Sequence, residues 1–189
     1  MLDLEWIRLQ RWFDATAAAF DHEDARKLVS GPWTLRIEYV VRAGDGVRSA
    51  RELITPALYA GWFASRAGWT HTGQAARVAG DSLDLRLGKQ GQKRVTVVPK
   101  VGNDRPGSLL ELEIGGTLGR VRLRREPGSD FCATTVELNR APQTNDRPER
   151  ASRVAAGGDV EVLAQALATA PRDLPFDRAV PVALAFEPR

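Results

Sequence analysis

The chain has 189 residues, of which 43% are hydrophobic and 27% are charged. A chain of this size buries a substantial core without disulfides, and its single cysteine, Cys132, cannot form an internal disulfide. The formal net charge is only +3 and the basic residues are spread along the chain, which argues against nucleic acid as a partner. No apolar run approaches the roughly 20 residues of a membrane span, and charged residues interrupt the segment where a signal peptide would lie. These features predict a cytoplasmic protein.

Helices and a strand are predicted in the first part of the chain. Apolar residues recur at three- and four-residue steps from Leu2 to Phe20, which is the spacing of an amphipathic helix. Asp21 is suited to cap a second, short helix that Gly31 and Pro32 would end. From Trp33 to Arg42 apolar and polar residues alternate, which predicts a strand with one exposed face.

The next predicted helix runs to about Gly68, and its start has two alternatives. Ser49 with Glu52 forms a capping box. Thr55 followed by Pro56 is an equally good N-cap and first helical residue. A kink or a restart of the helix is therefore expected near Pro56.

The middle of the chain is rich in strand patterns. Alternation predicts strands at Leu83–Leu87, Val95–Val97 and Phe131–Leu138, and a hairpin over Leu109–Arg125. A short strand near Val154 and a helix from Asp159 to Ala168 follow. The whole predicts one α+β domain over residues 1–189: a mostly antiparallel or mixed sheet of about five to six strands, with N-terminal and C-terminal helices packed on it.

Three arginines on one strand of the hairpin have two interpretations. Arg120, Arg122 and Arg124 alternate with apolar residues, so their guanidinium groups share one face and could hold an anion. In the register set by a turn at Gly116–Gly119, however, Glu113 faces Arg122 and Glu111 faces Arg124. The register therefore favours a neutralised, solvent-exposed face over an anion site.

Two short motifs resemble those of enzymes. Gly80-Asp81-Ser82-Leu83 resembles the opening block of GDSL esterases, but the only histidines, His22 and His71, precede Ser82 and neither has an aspartate three residues before it. A serine without a neighbouring base is a weak nucleophile. The second motif, Gly44–Ser49, matches only the first two glycines of the dinucleotide fingerprint, so a flexible turn is the favoured interpretation.

No metal, cofactor or reactive thiol is predicted. Asp21, His22, Glu23 and Asp24 are adjacent on a short helix and point in different directions, so they cannot converge on one ion. Cys132 shares a strand face with Val136 and Leu138, which predicts a core thiol.

Four separated blocks resemble one family in the expected order. The blocks are Asp3–Trp12 with Phe20-Asp21, then Leu35–Tyr39, then Ala60–Trp69, which carries the distinctive Gly61-Trp62 helix, and finally Thr135–Leu138. They resemble the C-terminal domain of the OpcA family of glucose-6-phosphate dehydrogenase assembly proteins. The resemblance implies a non-catalytic protein of the oxidative pentose phosphate pathway whose partner is that dehydrogenase.

The Trp62 helix is the predicted partner-binding element. Trp62, Arg66 and Trp69 fall on one side of it, and tryptophan with arginine is the combination enriched at interface hot spots. The alternative, a helix buried all round, is the favoured interpretation because core tryptophans are common and Phe63 lies between the two sides. A second functional hypothesis is a small metabolite-binding domain or enzyme that uses the Gly44–Ser49 loop or the Arg120, Arg122 and Arg124 face.

Overall fold

The computed structural model describes residues 4–21, 25–26, 33–43, 50–69, 73–88, 92–139, 150–154, 162, 164 and 174–186. In chain order the elements are α1 (Leu4–Ala19), β1 (Trp33–Val41), α2 (Ala50–Arg66), β2 (Arg77–Ala79), β3 (Ser82–Leu87), β4 (Lys93–Val101), β5 (Leu109–Gly116), β6 (Gly119–Arg125), β7 (Phe131–Leu138), β8 (Arg150–Arg153), α3 (Leu174–Ala183) and a 3-10 turn (Leu184–Phe186). None of the helices described is long and apolar enough to cross a bilayer.

The described strands form one mixed sheet in the order β2-β3-β4-β1-β5-β6-β7-β8. The central strand β1 pairs parallel with β4 and antiparallel with β5. The predicted α+β class is confirmed, but the predicted number of five to six strands is wrong. The edge strand β2 has only three residues, which is too short for alternation to show in the sequence. That residues 1–189 form one domain stays a prediction.

The helices pack on one side of the sheet, which we call the inner face. Leu35, Ile37, Tyr39 and Val41 of β1 are buried there, as their alternation predicted. They belong to one continuous core with the buried residues of α1, α2 and α3. The centre of this core is aromatic: the Phe13 ring on α1 stacks on Trp62 of α2 with centroids 4.3 Å apart.

Helix α2 crosses α3 at unusually close range. A Cβ atom on Gly61 would lie 2.2 Å from the carbonyl oxygen of Ala179 on α3, so only glycine permits this approach. The α2 helix also continues through Pro56 from its start at Ala50, so the alternative start at Thr55 is wrong. The Thr55 hydroxyl instead donates a hydrogen bond to Glu5 Oε2 on α1 at 2.9 Å, which joins the two helices.

The C-terminal part of the described chain contains a helix that the proline pattern concealed. Pro175 is the second residue of α3, where a missing N–H costs little, and Pro181 lies near the helix end. The predicted helices at Asp21–Gly31 and Asp159–Ala168 fall mostly outside the described residues. The short strand expected near Val154 is β8, which ends at Arg153.

Candidate interaction surface

The sheet presents charged side chains on the side opposite the helices, which we call the outer face. Successive residues of a strand point to opposite sides, so the residues between the buried ones form this face. Residues opposite one another on neighbouring strands make rows across the sheet. One row consists of Arg77, Asp84, Thr96, Arg36, Glu113, Arg122 and Thr135. Its side chains are exposed or half-buried, whereas those of the inner face are buried.

On β5, β6 and β7 the charges of the outer face are matched, and we call this region the paired half. The hairpin has the predicted register, with Glu113 opposite Arg122 and Glu111 opposite Arg124. Arg122 Nη2 donates to Glu113 Oε2 at 2.6 Å, and its Nε lies 3.2 Å from Glu111 Oε1. The hydrogen bond to Glu113 raises the pKa of Arg122 above its ordinary value.

The third arginine of the hairpin is matched by the next strand. Arg120 lies opposite Glu137 of β7, and its Nε donates to Glu137 Oε2 at 2.6 Å. Arg124 Nε lies 3.9 Å from Glu111 Oε2. Because each of the three arginines lies near a carboxylate, the geometry favours the neutralised face over the anion site.

On β2, β3 and β4 the outer face carries an excess of arginine. Arg77, Arg86 and Arg94, which we call the arginine cluster, surround one carboxylate, Asp84. Arg77 lies opposite Asp84, while Arg86 lies directly opposite Arg94. Like charges in that position destabilise a sheet by up to about 1 kcal/mol.

Asp84 is fully engaged within the arginine cluster. Its Oδ2 accepts a hydrogen bond from Arg94, and its Oδ1 accepts one from Thr96 Oγ1 at 2.7 Å. Burial raises the pKa of Asp84, but these hydrogen bonds and the charges of Arg94 and Arg86 outweigh burial and lower the pKa overall. In the described part of the chain, Arg77 and Arg86 make no side-chain hydrogen bond and no ion pair. Two exposed guanidinium groups are therefore available to an external anion.

A polar cleft of about 350 Å³ lies at the N-terminal end of α1, against the loops that follow β4 and β6. Glu5 accepts hydrogen bonds from Arg8 at 2.6 Å, from Thr55 and from Arg105. Burial raises the pKa of Glu5, but the hydrogen bonds and charges of these partners outweigh it, so the pKa is lowered overall.

The other charged groups of the cleft are also hydrogen-bonded within the protein. Asp104 accepts hydrogen bonds from Arg125 Nη2 at 2.9 Å and from the Gly128 backbone N–H at 3.0 Å. Arg125 donates further bonds to the carbonyl oxygens of Leu109 and Ser129. The charges in this cleft therefore join the two loops and α1 to each other, and a ligand would have to displace them.

The three predicted partner-binding residues have different environments. Trp62 and Trp69 are buried, with 9% and 7% of their surface exposed, while Arg66 is exposed. The helix thus has the alternative arrangement, in which its apolar sides are both buried. Trp69 follows the end of α2, with the Lys93 ammonium 5.6 Å from its ring centroid. Contact of these residues with a partner stays a prediction.

Of the remaining motif residues, Ser82 and Cys132 make contacts within the fold, and the others lie outside the described residues. Ser82 Oγ donates to the Ala79 carbonyl at 2.8 Å within the β2–β3 turn. Cys132 is buried as predicted, and burial raises the pKa of its thiol. The Gly44–Ser49 loop and both histidines, His22 and His71, lie outside the described residues.

Sequence reasoning missed the arginine cluster. The alternation of Asp84 and Arg86 with leucines did indicate an exposed strand face. The clustering itself follows from the pairing of β3 with β2 and β4, and Arg86 meets Arg94 only in the observed register. A search for strand pairings that place like charges opposite each other could have found it.

Comparisons with known proteins identify the family. The family model OpcA_G6PD_C, which describes the C-terminal domain of a glucose-6-phosphate dehydrogenase subunit, matches residues 1–180. No curated protein matches the chain. Among solved structures, a mutant of KijD10, a 3-ketoreductase from Actinomadura kijaniata in complex with TDP-benzene and NADP, is 13% identical with a TM-score of 0.43. That alignment covers 93% of this chain and 51% of the ketoreductase. Since the family model spans nearly the whole sequence, the chain belongs to the OpcA family and corresponds to its C-terminal domain.

Proposed function

We propose that this protein is a non-catalytic binding protein that assembles or activates glucose-6-phosphate dehydrogenase in the oxidative pentose phosphate pathway of the cytoplasm. The observation that carries the proposal is the family match over residues 1–180, because the family is described by its association with that dehydrogenase. The protein would act through its surface, by stabilising an assembled form of the enzyme.

The geometry of the described residues supports a binding role in two ways. The charged groups of the 350 Å³ cleft are engaged with one another. The outer face, in contrast, is a broad sheet surface with polar side chains at regular spacing, and its depression of about 720 Å³ beside Arg120 and Glu137 is open to solvent and lined by paired charges. Such a surface suits contact with another protein better than enclosure of a small substrate.

Reconstitution with the dehydrogenase of the same organism tests the proposal. Light scattering after size exclusion should show a complex, and the rate of glucose 6-phosphate oxidation should rise to saturation as the chain is added. The heat-denatured chain is the control. If the native chain neither co-elutes with the dehydrogenase nor changes its activity, the proposal fails.

The predicted contact through the α2 helix is tested most directly at Arg66. Trp62→Ala should cost about 3–5 kcal/mol of stability because the ring is buried, so it reports on folding before it reports on binding. Arg66→Ala removes an exposed side chain and should leave the melting temperature nearly unchanged. Unchanged dehydrogenase binding by Arg66→Ala would remove this residue from the interface.

The alternative, a metabolite-binding domain or enzyme, has less support. The Arg120, Arg122 and Arg124 face is the only part of that hypothesis within the described residues, and its arginines already lie near carboxylates. Titration with phosphate or nucleotides would revive it if binding were lost in Arg122→Gln.

A further inference from the structure

We infer that the arginine cluster on β2, β3 and β4 is the docking surface for an acidic patch on the partner protein. This inference rests on the proposed function, which supplies glucose-6-phosphate dehydrogenase as that partner. Arg77 and Arg86 are exposed, and Arg94 has 52% of its side-chain surface exposed. All three lie on the outer face of neighbouring strands, so a partner surface can reach them together.

The first argument is that the opposed arginines destabilise the isolated chain. Arg86 lies directly opposite Arg94, although a polar or acidic residue at either position would relieve the repulsion. Asp84, the carboxylate between these arginines among the described strands, already has both oxygens engaged by Arg94 and Thr96. Carboxylates supplied from outside would compensate the remaining positive charge.

The second argument is the contrast with the paired half of the same face. There, Arg120 and Arg122 each form a short ion pair with a glutamate of a neighbouring strand. Solvent exposure alone therefore does not explain unpaired arginines on this sheet. Electrostatic complementarity between partners requires charges that remain unneutralised in the free protein.

The limited extent of the cluster favours a protein partner over nucleic acid. Three neighbouring strands span only about 10–15 Å at ordinary strand spacing. On the next strand, β1, Arg36 is paired with Glu38, and beyond it the acidic side chains of Glu111 and Glu113 on β5 bound the cluster. A phosphate backbone needs a basic stripe that continues along its path. A compact patch of carboxylates on a folded protein matches this limited area.

The binding test compares two double variants that lose the same charge. Arg77→Gln with Arg86→Gln removes two members of the cluster, and Arg120→Gln with Arg124→Gln removes two exposed arginines from the paired half. Circular dichroism and thermal melting establish that both are folded. We expect the cluster variant to bind the dehydrogenase at least about fivefold more weakly, and the control to change by less than about twofold. The difference should shrink at high salt.

The outcomes separate this inference from the proposed function. If wild type binds and the two double variants bind equally well or lose affinity equally, the docking surface is wrong and the proposed function stands. If wild type does not bind the dehydrogenase, both are wrong. If duplex DNA binds more tightly than the dehydrogenase and depends on Arg77 and Arg86, nucleic acid replaces the acidic protein patch.

Zero-length cross-linking then tests the acidic character of the partner. Carbodiimide joins lysine amines to carboxylates but leaves arginine unmodified. In the Arg77→Lys and Arg86→Lys variants, mass spectrometry should find new peptides that join position 77 or 86 to aspartate or glutamate of the dehydrogenase. A complex that forms without such peptides would overturn the inference.

Discussion

Two regions of the outer face, on either side of β1, carry arginines in opposite electrostatic settings. In the paired half, the register of β5, β6 and β7 places glutamates beside Arg120 and Arg122. In the arginine cluster, the register of β3 and β4 places Arg86 against Arg94. Both regions belong to the same sheet and face the same side, so fold and exposure do not account for the difference.

The same sheet face thus uses some charges to stabilise its strands and leaves others exposed to a partner. Cross-strand pairs of opposite charge stabilise their strands by about 0.2–1 kcal/mol each. Their charges are then unavailable to a partner. In the arginine cluster Arg94 keeps such a pair with Asp84, but Arg77 and Arg86 give up that stabilisation and keep their charge for an external anion. Replacing Arg86 should therefore change the free energy of unfolding in the opposite direction from replacing Arg122.

The largest expected effect is at Gly119, which sets the register of the paired half. Its φ is +149°, and a Cβ atom there would lie 2.1 Å from the Glu137 carbonyl oxygen. Gly119→Ala should lower the free energy of unfolding by about 3 kcal/mol through strain and displaced backbone. Chemical denaturation measures this. Gly128→Ala is the control for the loss of a positive-φ glycine, because nothing lies within 4 Å of its Cβ position. Equal losses in both variants would contradict the steric explanation.

A smaller loss is expected at Arg122, the centre of the paired half. Arg122→Gln leaves Glu111 and Glu113 without their shared cation. The free energy of unfolding should fall by about 1–2 kcal/mol, with the loss reduced in high salt. Arg124→Gln, which removes only contacts of 3.4 and 3.9 Å, should cost less. A larger loss for Arg124→Gln would contradict the assigned pairing.

Asp84 provides the pH test of the arginine cluster. Its pKa is lowered in the folded state, so the ionised form stabilises the fold above the unfolded pKa of about 3.9. This stabilisation is lost as the pH falls through the folded pKa. Asp84→Asn should therefore be less stable than wild type by up to about 1 kcal/mol at neutral pH. The difference should shrink below about pH 4. A difference that persists unchanged in acid would assign the loss to packing.

The smallest expected effect is an increase, rather than a decrease, in the free energy of unfolding. Arg86→Gln removes the repulsion with Arg94 while keeping a polar side chain on the outer face. We expect the free energy of unfolding to rise by about 0.5 kcal/mol. Thermal melting at low salt is the most sensitive measurement because screening is then weakest. A clear loss of stability in this variant would show that Arg86 is part of a stabilising network and would contradict the assigned repulsion with Arg94.

Local patterns predicted the hairpin in detail but left two interpretations of the Trp62 helix, of which burial was favoured. In the hairpin, a short turn sets the register. That register pairs apolar residues on one face and opposite charges on the other, so Glu113 could be paired with Arg122 from the sequence. The Trp62 helix is apolar on both sides, and periodicity does not distinguish a buried side from one that waits for a partner. Its burial follows from contacts with Phe13 on α1 and from the close crossing of α3 at Gly61.

The sequence by itself determined the α+β class, the inner face of β1, the hairpin register and the membership of the family, because each of these follows from residues close together or from an ordered set of blocks. The tertiary structure decided which strands lie beside each other. Residues 33–41 pair with 93–101 in parallel, across a separation that no turn specifies. The arginine cluster depends on the strand pairing on that side of β1, since Arg77, Arg86 and Arg94 belong to three different strands. Their common face is a property of the assembled sheet, set by the burial of the apolar inner face.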